Sequence, residues 1–203
     1  MESSLAEEFE TGKAPEADVL GFPPNYFEGK CHISVDVETF DNSSDSALAT
    51  IGAVACQNIS LLTEEKDIPY TFYAAVYDDE GSFDSQTIRW HAEQDGFKEN
   101  IGAGENIVSL REGLESFASW LGQFGAHEES GAILWSHATF DFPVLKNAYR
   151  RAYISVPWHY RNTRDLRTLY ELAGERPDLE NENAHHALED AKYQLREVRE
   201  CYK

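Results

Sequence analysis

Residues 33–39, ISVDVET, alternate apolar β-branched residues with polar ones. Ile33, Val35 and Val37 share one parity; Ser34, Asp36 and Glu38 share the other. A period of two is the period of a β-strand, so Asp36 and Glu38 point to one face. They stand ~7 Å apart along it. Two bare carboxylates at that spacing repel strongly in a low-dielectric site unless a cation neutralises them. A hard divalent ion such as Mg²⁺ binds through one or two carboxylates plus substrate phosphate oxygens. Taken alone, the pair is a weak signal and fits a strand end running into solvent somewhat better. The layer facing Asp36 and Glu38 must therefore supply either water or a cation, and other parts of the chain decide which.

The flanking pattern places this strand in an α/β domain. The turn-prone DNSSDS follows it, so Asp41 and Asp45 read as turn residues. Then come a second apolar strand in ALATIGAVACQNISLL and a third in PYTFYAAVY. Their short spacing suggests an antiparallel meander. DSQTIRWHAEQ opens on Asp84 or Ser85 as a cap and reads as a short helix. In NIVSLREGLESFASWLGQFG, Leu110, Leu114, Phe117 and Leu121 recur at three- and four-residue steps, which marks an amphipathic helix. GAILWS is a short buried strand. DFPVLKNAYRRA is a helix with Pro143 in its first turn, where proline is tolerated. VPWHYRNTRD gives a further strand and loop, and DLRTLYELAG another helix. HHALEDAKYQLREVREC forms a last helix with Ala187, Ala191, Leu195 and Val198 on one face. The expectation is a mixed five-stranded sheet, a three-strand antiparallel meander plus parallel strands, with helices on both faces.

The 203 residues suit one such domain over 31–203. Residues 1–30 carry Pro15, Pro23 and Pro24 with little periodicity and read as an acidic arm, partly disordered or docked through VLGFPPNYF. The first twenty residues are too acidic and polar for a secretory signal, and no apolar run approaches the ~20 residues that span a bilayer. Three widely spaced cysteines, Cys31, Cys56 and Cys201, form no zinc-ligand pattern and suggest a reduced, cytoplasmic setting. The net charge of −20 is unevenly spread. Eleven of the 17 basic and ten of the 37 acidic residues fall in the last 60, leaving that part at +1 and the remainder at −21. The acid excess therefore reads as a solvated surface of the first two-thirds, and does not exclude a nucleic-acid partner.

Three later stretches bear on the charge at Asp36 and Glu38. In ATFDFPVL, Asp141 follows a strand and precedes a helix. That junction lies at the carboxyl edge of a sheet, where open α/β folds bind ligands, although an N-cap Asp would look the same. In AHHALEDA, His185 precedes Asp190 by five residues, and Asp190 lies beside the Ala187/Ala191 stripe. A histidine entering that helix has the pKa range of a general base. RNTRDLRTL groups Arg161, Arg164 and Arg167 around Asp165, either as local ion pairs or as guanidinium groups for phosphate.

Together the order Asp36-Val37-Glu38, Phe140-Asp141 and His185-(four residues)-Asp190 resembles the histidine-containing DEDD exonucleases. These are DnaQ-like, ribonuclease H-like 3′→5′ exonucleases. SVDVETF, TIRWHAEQ, ILWSHATFDFPVLKNAYRRA, PWHYRNTRDLRTL and AHHALEDAKYQ are similar to the exonuclease VIII-type, exoribonuclease-like branch over residues 32–200. The resemblance implies a ribonuclease H-like fold. It implies 3′→5′ hydrolysis of RNA or DNA ends to nucleoside monophosphates with two divalent ions, Mg²⁺ or Mn²⁺. Asp36, Glu38, Asp141 and Asp190 would hold the metals, and His185 would deprotonate water, its spacing favouring it over the adjacent His186. Asp165 would support the site. Where the family often carries Asn, this chain has His137, a substrate contact or a residue without a role. Phe40 would stack on a terminal base or pack in the core, and Thr39 and Phe140 join the candidate substrate contacts. A non-catalytic scaffold, an endonuclease and a phosphodiesterase for very short oligonucleotides are the competing readings; the oligomeric state, a homodimer included, stays open.

Overall fold

The structure is a computed structural model that describes residues 29–62, 68–94, 96, 98, 101, 106–181 and 183–202. The arm expected over residues 1–30 lies outside the described residues apart from Gly29 and Lys30. Strands β1 (His32–Thr39), β2 (Leu48–Cys56) and β3 (Tyr70–Tyr77) form the antiparallel meander. Helix α1 (Ser85–Glu93) follows, its first turn closed by Asp84, whose side chain accepts from Thr87 N at 2.8 Å. Then come β4 (Val108–Ser109), α2 (Leu110–Gly122), β5 (Ile133–Ser136), α3 (Asp141–Arg151), β6 (Thr163–Asp165), α4 (Leu166–Ala173) and α5 (Ala187–Cys201). The sheet order is β4-β3-β2-β1-β5-β6, with β2 alone antiparallel to its neighbours.

The sheet thus has six strands rather than five. The extra one, β4, was expected as the start of α2. Ser109 and Glu112 form a capping box there, each side chain bonding the other's backbone amide. That cap starts the helix at Leu110 and leaves Val108 and Ser109 extended beside Val76 and Tyr77. Strand β2 stops at Cys56, and Ile59–Leu61 form a single 3₁₀ turn capped by Asn58. The strand expected within VPWHYRNTRD is limited to Thr163–Asp165.

Strand β1 runs through the middle of the sheet with all eight residues buried. Ile33, Val35 and Val37 pack with Leu114, Phe117 and Leu121 of α2 and Phe142, Leu145 and Ala148 of α3. On the opposite face, Val54, Ile133 and Trp135 pack with Leu166 and Leu169 of α4 and with Ala191, Leu195 and Val198 of α5. The polar parity of β1 therefore faces α5 rather than bulk water. Gly52, which pairs with Asp36 across β2, makes this approach feasible. A Cβ there would collide with the backbone of Ala187 and Leu188 at the start of α5. No helix among the described residues is long and apolar enough to cross a membrane.

Candidate active site

Three elements deliver four carboxylates to one place. Asp36 and Glu38 sit near the carboxyl end of β1. Asp141 is the first residue of α3, just past the carboxyl end of β5. Asp190 lies in the first turn of α5. Ligand atoms of Asp36, Glu38 and Asp190 all lie within 4.8 Å of one another, and the same holds for Asp36, His137 and Asp141. Asp36 belongs to both groups and lies at their centre.

The electrostatic cost of this gathering is visible on every member. Burial, then the charges of Asp141, Glu38 and Asp190, push Asp36 well above the usual carboxylate range. Glu38 is pushed well up by burial and by Asp190 and Asp141. Burial takes Asp141 up to about 7 and raises Asp190. Four acids in this state call for either protons or a cation.

Neighbouring groups fix the carboxylates of Asp36 and Asp190. Gln194 Nε2 donates to Asp36 Oδ1 at 2.7 Å, while Gln194 Oε1 accepts from Ser34 Oγ at 3.1 Å. Asp190 Oδ1 accepts from Asn181 Nδ2 at 2.6 Å, and its Oδ2 accepts from the His185 backbone N–H at 2.8 Å. Asp141 Oδ2 is buried with no hydrogen-bond partner. A buried carboxylate oxygen left in that state is costly unless a cation completes it. A donor set dominated by carboxylate oxygens, with the His137 imidazole beside Asp36 and Asp141, fits a divalent ion.

His185 and His186 diverge. The His185 backbone has φ +72°, a left-handed conformation held by its N–H bond to Asp190. Its half-buried ring meets Trp90 edge to face at 4.7 Å. The His186 ring stacks on Tyr73 at 5.0 Å, turned toward β3. His137 lies beside Asp36 and Asp141; burial, with Arg167 and Arg176 nearby, holds its pKa below the usual value.

The remaining candidates fall into two groups. Thr39 Oγ1 donates to the Asp41 carbonyl at 2.9 Å, and Phe40 stacks on the exposed Phe83 at 5.4 Å. Phe140 lines a cleft of about 450 Å³ together with Val37, Glu38, Thr39, Trp90 and His91. Arg167 donates to Thr139 Oγ1 at 3.3 Å, and its charge lowers both Asp141 and His137. Arg161 instead pairs with Glu129 at 2.7 Å, and Arg164 donates to the carbonyls of Arg161 and Thr163. The arginine cluster expected around Asp165 is not formed. The Asp165 carboxylate accepts from Ala138 N at 3.1 Å and Thr168 N at 3.0 Å, capping α4 and tying down the loop before α3.

Gln194, Asn181, Gly52 and His91 escaped the sequence reading. Gln194 had one usable signal: it lies one helical turn beyond Asp190, on the same face of α5. The other three depend on contacts that no local pattern encodes.

A comparison with curated proteins finds no match. Solved structures do share the fold. E. coli exonuclease I in complex with a dT13 oligonucleotide superposes with a TM-score of 0.58 at 14% identity. Exonuclease I from Methylocaldum szegediense gives 0.59, also at 14% identity. Each alignment covers 84% of this chain and 40% of the exonuclease, so the chain corresponds to well under half of those enzymes. The family model of the 3′-5′ exoribonuclease Rv2179c-like domain matches residues 31–202, nearly the whole described fold. The chain belongs to the Rv2179c-like 3′-5′ exoribonuclease domain family.

Proposed function

We propose that the protein is a metal-dependent 3′→5′ exonuclease that removes nucleoside monophosphates from single-stranded or 3′-overhanging RNA or DNA. The observation that carries the reading is the convergence of Asp36, Glu38, Asp141 and Asp190 from β1, α3 and α5, with Asp141 Oδ2 buried and unpartnered. Asp36, Glu38, Asp141 and Asp190 would hold two divalent ions. When bound, such ions stabilise charge on the phosphoryl oxygens and acidify water for in-line attack.

The chain's own residues supply position and a proton acceptor. Gln194 holds Asp36 in one orientation through its bond to Oδ1. Asn181 and the His185 amide do the same for Asp190. The His185 ring, packed edge to face on Trp90, would take a proton from attacking water. Asp165 fixes the loop that carries His137 and leads into Asp141. Arg167, bonded to Thr139 Oγ1, would reach a phosphate oxygen at the site's edge, and Phe40 with Phe83 offers a face for a base.

The test uses 5′-labelled RNA and DNA, linear and circular, with Mg²⁺ or Mn²⁺, for the wild type and Asp36→Asn. The expected result is a ladder shrinking from the 3′ end of linear strands, intact circles, and no ladder from the variant. Cut circles would make the protein an endonuclease, and a ladder that survives Asp36→Asn would sink the site assignment.

A further inference from the structure

The cleft beside Glu38 holds a buried imidazole that the hydrolysis above does not use. His91, in the last turn of α1, is only 3% exposed, yet it lines that cleft. Its Nε2 lies 2.8 Å from the carbonyl oxygen of Thr39. A carbonyl only accepts, so Nε2 carries the proton. Burial, and to a smaller degree the charge of His185, holds His91 below the usual histidine range, which keeps the ring neutral at pH 7. The other nitrogen, Nδ1, is then a bare acceptor. It has no partner among the described residues, and it is not among the nitrogens sealed from solvent.

Thr87, the other buried polar side chain beside His91 on α1, is already satisfied. Thr87 Oγ1 donates to Asp84 Oδ2 at 3.0 Å and accepts from Asn42 Nδ2 at 3.2 Å. Trp90 and Phe140 supply aromatic surface. The cleft therefore presents a buried, uncommitted acceptor within an aromatic frame, and that acceptor selects a donor.

On a nucleotide whose phosphate lies at Asp36 and Glu38, the donors are sugar hydroxyls and base N–H groups. His91 is held by the carbonyl of Thr39, the residue next to Glu38. Its reach is thus to groups close to the acid cluster, where the sugar must lie, while a base projects farther out toward the aromatic faces. We infer that His91 Nδ1 accepts a hydrogen bond from the 2′-hydroxyl of the 3′-terminal ribose and so makes the site select RNA ends over DNA ends. A 2′-hydroxyl is the group by which a protein distinguishes the two polymers. The inference rests on the exonuclease reading given above.

The experiment measures single-turnover removal of the last nucleotide from 5′-labelled oligoribonucleotides that differ only at their terminal sugar: 2′-hydroxyl, 2′-fluoro or 2′-deoxy. Fluorine keeps the ribose pucker but donates nothing, so it separates hydrogen bonding from sugar shape. Wild type should remove the 2′-hydroxyl end roughly three- to ten-fold faster than either other end, the size of one neutral hydrogen bond. In His91→Phe, which keeps the ring volume beside Trp90, that ratio should collapse to about one. Inhibition of the wild type by a ribonucleoside and a deoxyribonucleoside monophosphate should show the same preference without any variant. Equal wild-type rates for all three ends would overturn the inference while leaving the exonuclease reading intact. So would a ratio that survives in His91→Phe, since the group that reads the 2′-hydroxyl would then lie elsewhere. Failure of the wild type to shorten any oligomer would overturn the exonuclease reading and this inference together.

Discussion

Gln194 shows how much the acid cluster depends on residues that touch no substrate. Its amide joins Ser34 to Asp36 and fixes which Asp36 oxygen remains available. Replacing it with methionine keeps the volume and removes both bonds. Outer partners of metal ligands typically contribute 10–100-fold in affinity or rate, so Gln194→Met should raise the Mn²⁺ concentration giving half-maximal activity by about that factor. An unchanged metal requirement in a titration of activity would contradict this role. The acids themselves make a second prediction. In the metal-free protein, burial pushes Asp141 up to about 7, and burial and neighbouring carboxylates hold Asp36 and Glu38 well above the usual carboxylate range. The folded state then keeps protons that the unfolded chain has already released, so stability falls as pH rises from the ordinary carboxylate range through 7. With a chelator present, the melting temperature should drop by at least about 5 °C between pH 5 and pH 8. Mn²⁺ or Asp141→Asn should flatten that slope, and a slope equal in all three samples would place its origin outside the site.

Among the elements, the contact between β2 and the start of α5 decides whether the site assembles. Gly52 is the only residue type that fits beneath the backbone of Ala187 and Leu188. Gly52→Ala should cost about 1–3 kcal/mol by overpacking and also weaken metal binding, because Asp190 rides on the first turn of the helix that must shift. Urea unfolding beside a metal titration checks both; stability equal to wild type would show that α5 accommodates the methyl group at no cost. Other elements were legible because their signals are local. The alternation of Ile33, Val35 and Val37 names β1 and its two faces, and Asp84 and the Leu110-to-Leu121 spacing name α1 and α2. Asp36, Glu38, Asp141 and Asp190 could be grouped only through the order of the motifs, and the structure brings their oxygens together. Strand β4 was hidden because its pairing with Val76 and Tyr77 is tertiary, and a helical spacing ran straight through it. Gln194, Gly52 and His91 were hidden for the same reason: each acts on a partner far away in sequence.

At the scale of the whole molecule, the charge of −20 and the fates of the arginines bear on how substrate is held. Arg161 is paired with Glu129, Arg164 with backbone carbonyls and Arg176 with Glu197, which leaves Arg167 near the acids without a carboxylate partner among the described residues. Binding of single strands should therefore release few counterions, with a slope of log K against log salt of about −1 to −2 in the presence of metal. A slope near −6, measured by fluorescence anisotropy, would reveal a basic track that this reading lacks. The long reach between Asp36 and Gln194, 158 residues apart, has a consequence in time as well as in space. A ribosome delivers Asp36, Glu38 and Asp141 well before His185, Asp190 and Gln194. Until α5 has emerged and docked, the growing chain carries three acids, no general base and an open groove where the helix belongs. On the proposed activity, the order of synthesis acts as a safety catch: a nascent chain is unarmed toward the RNA around it, and the docking of α5 arms it.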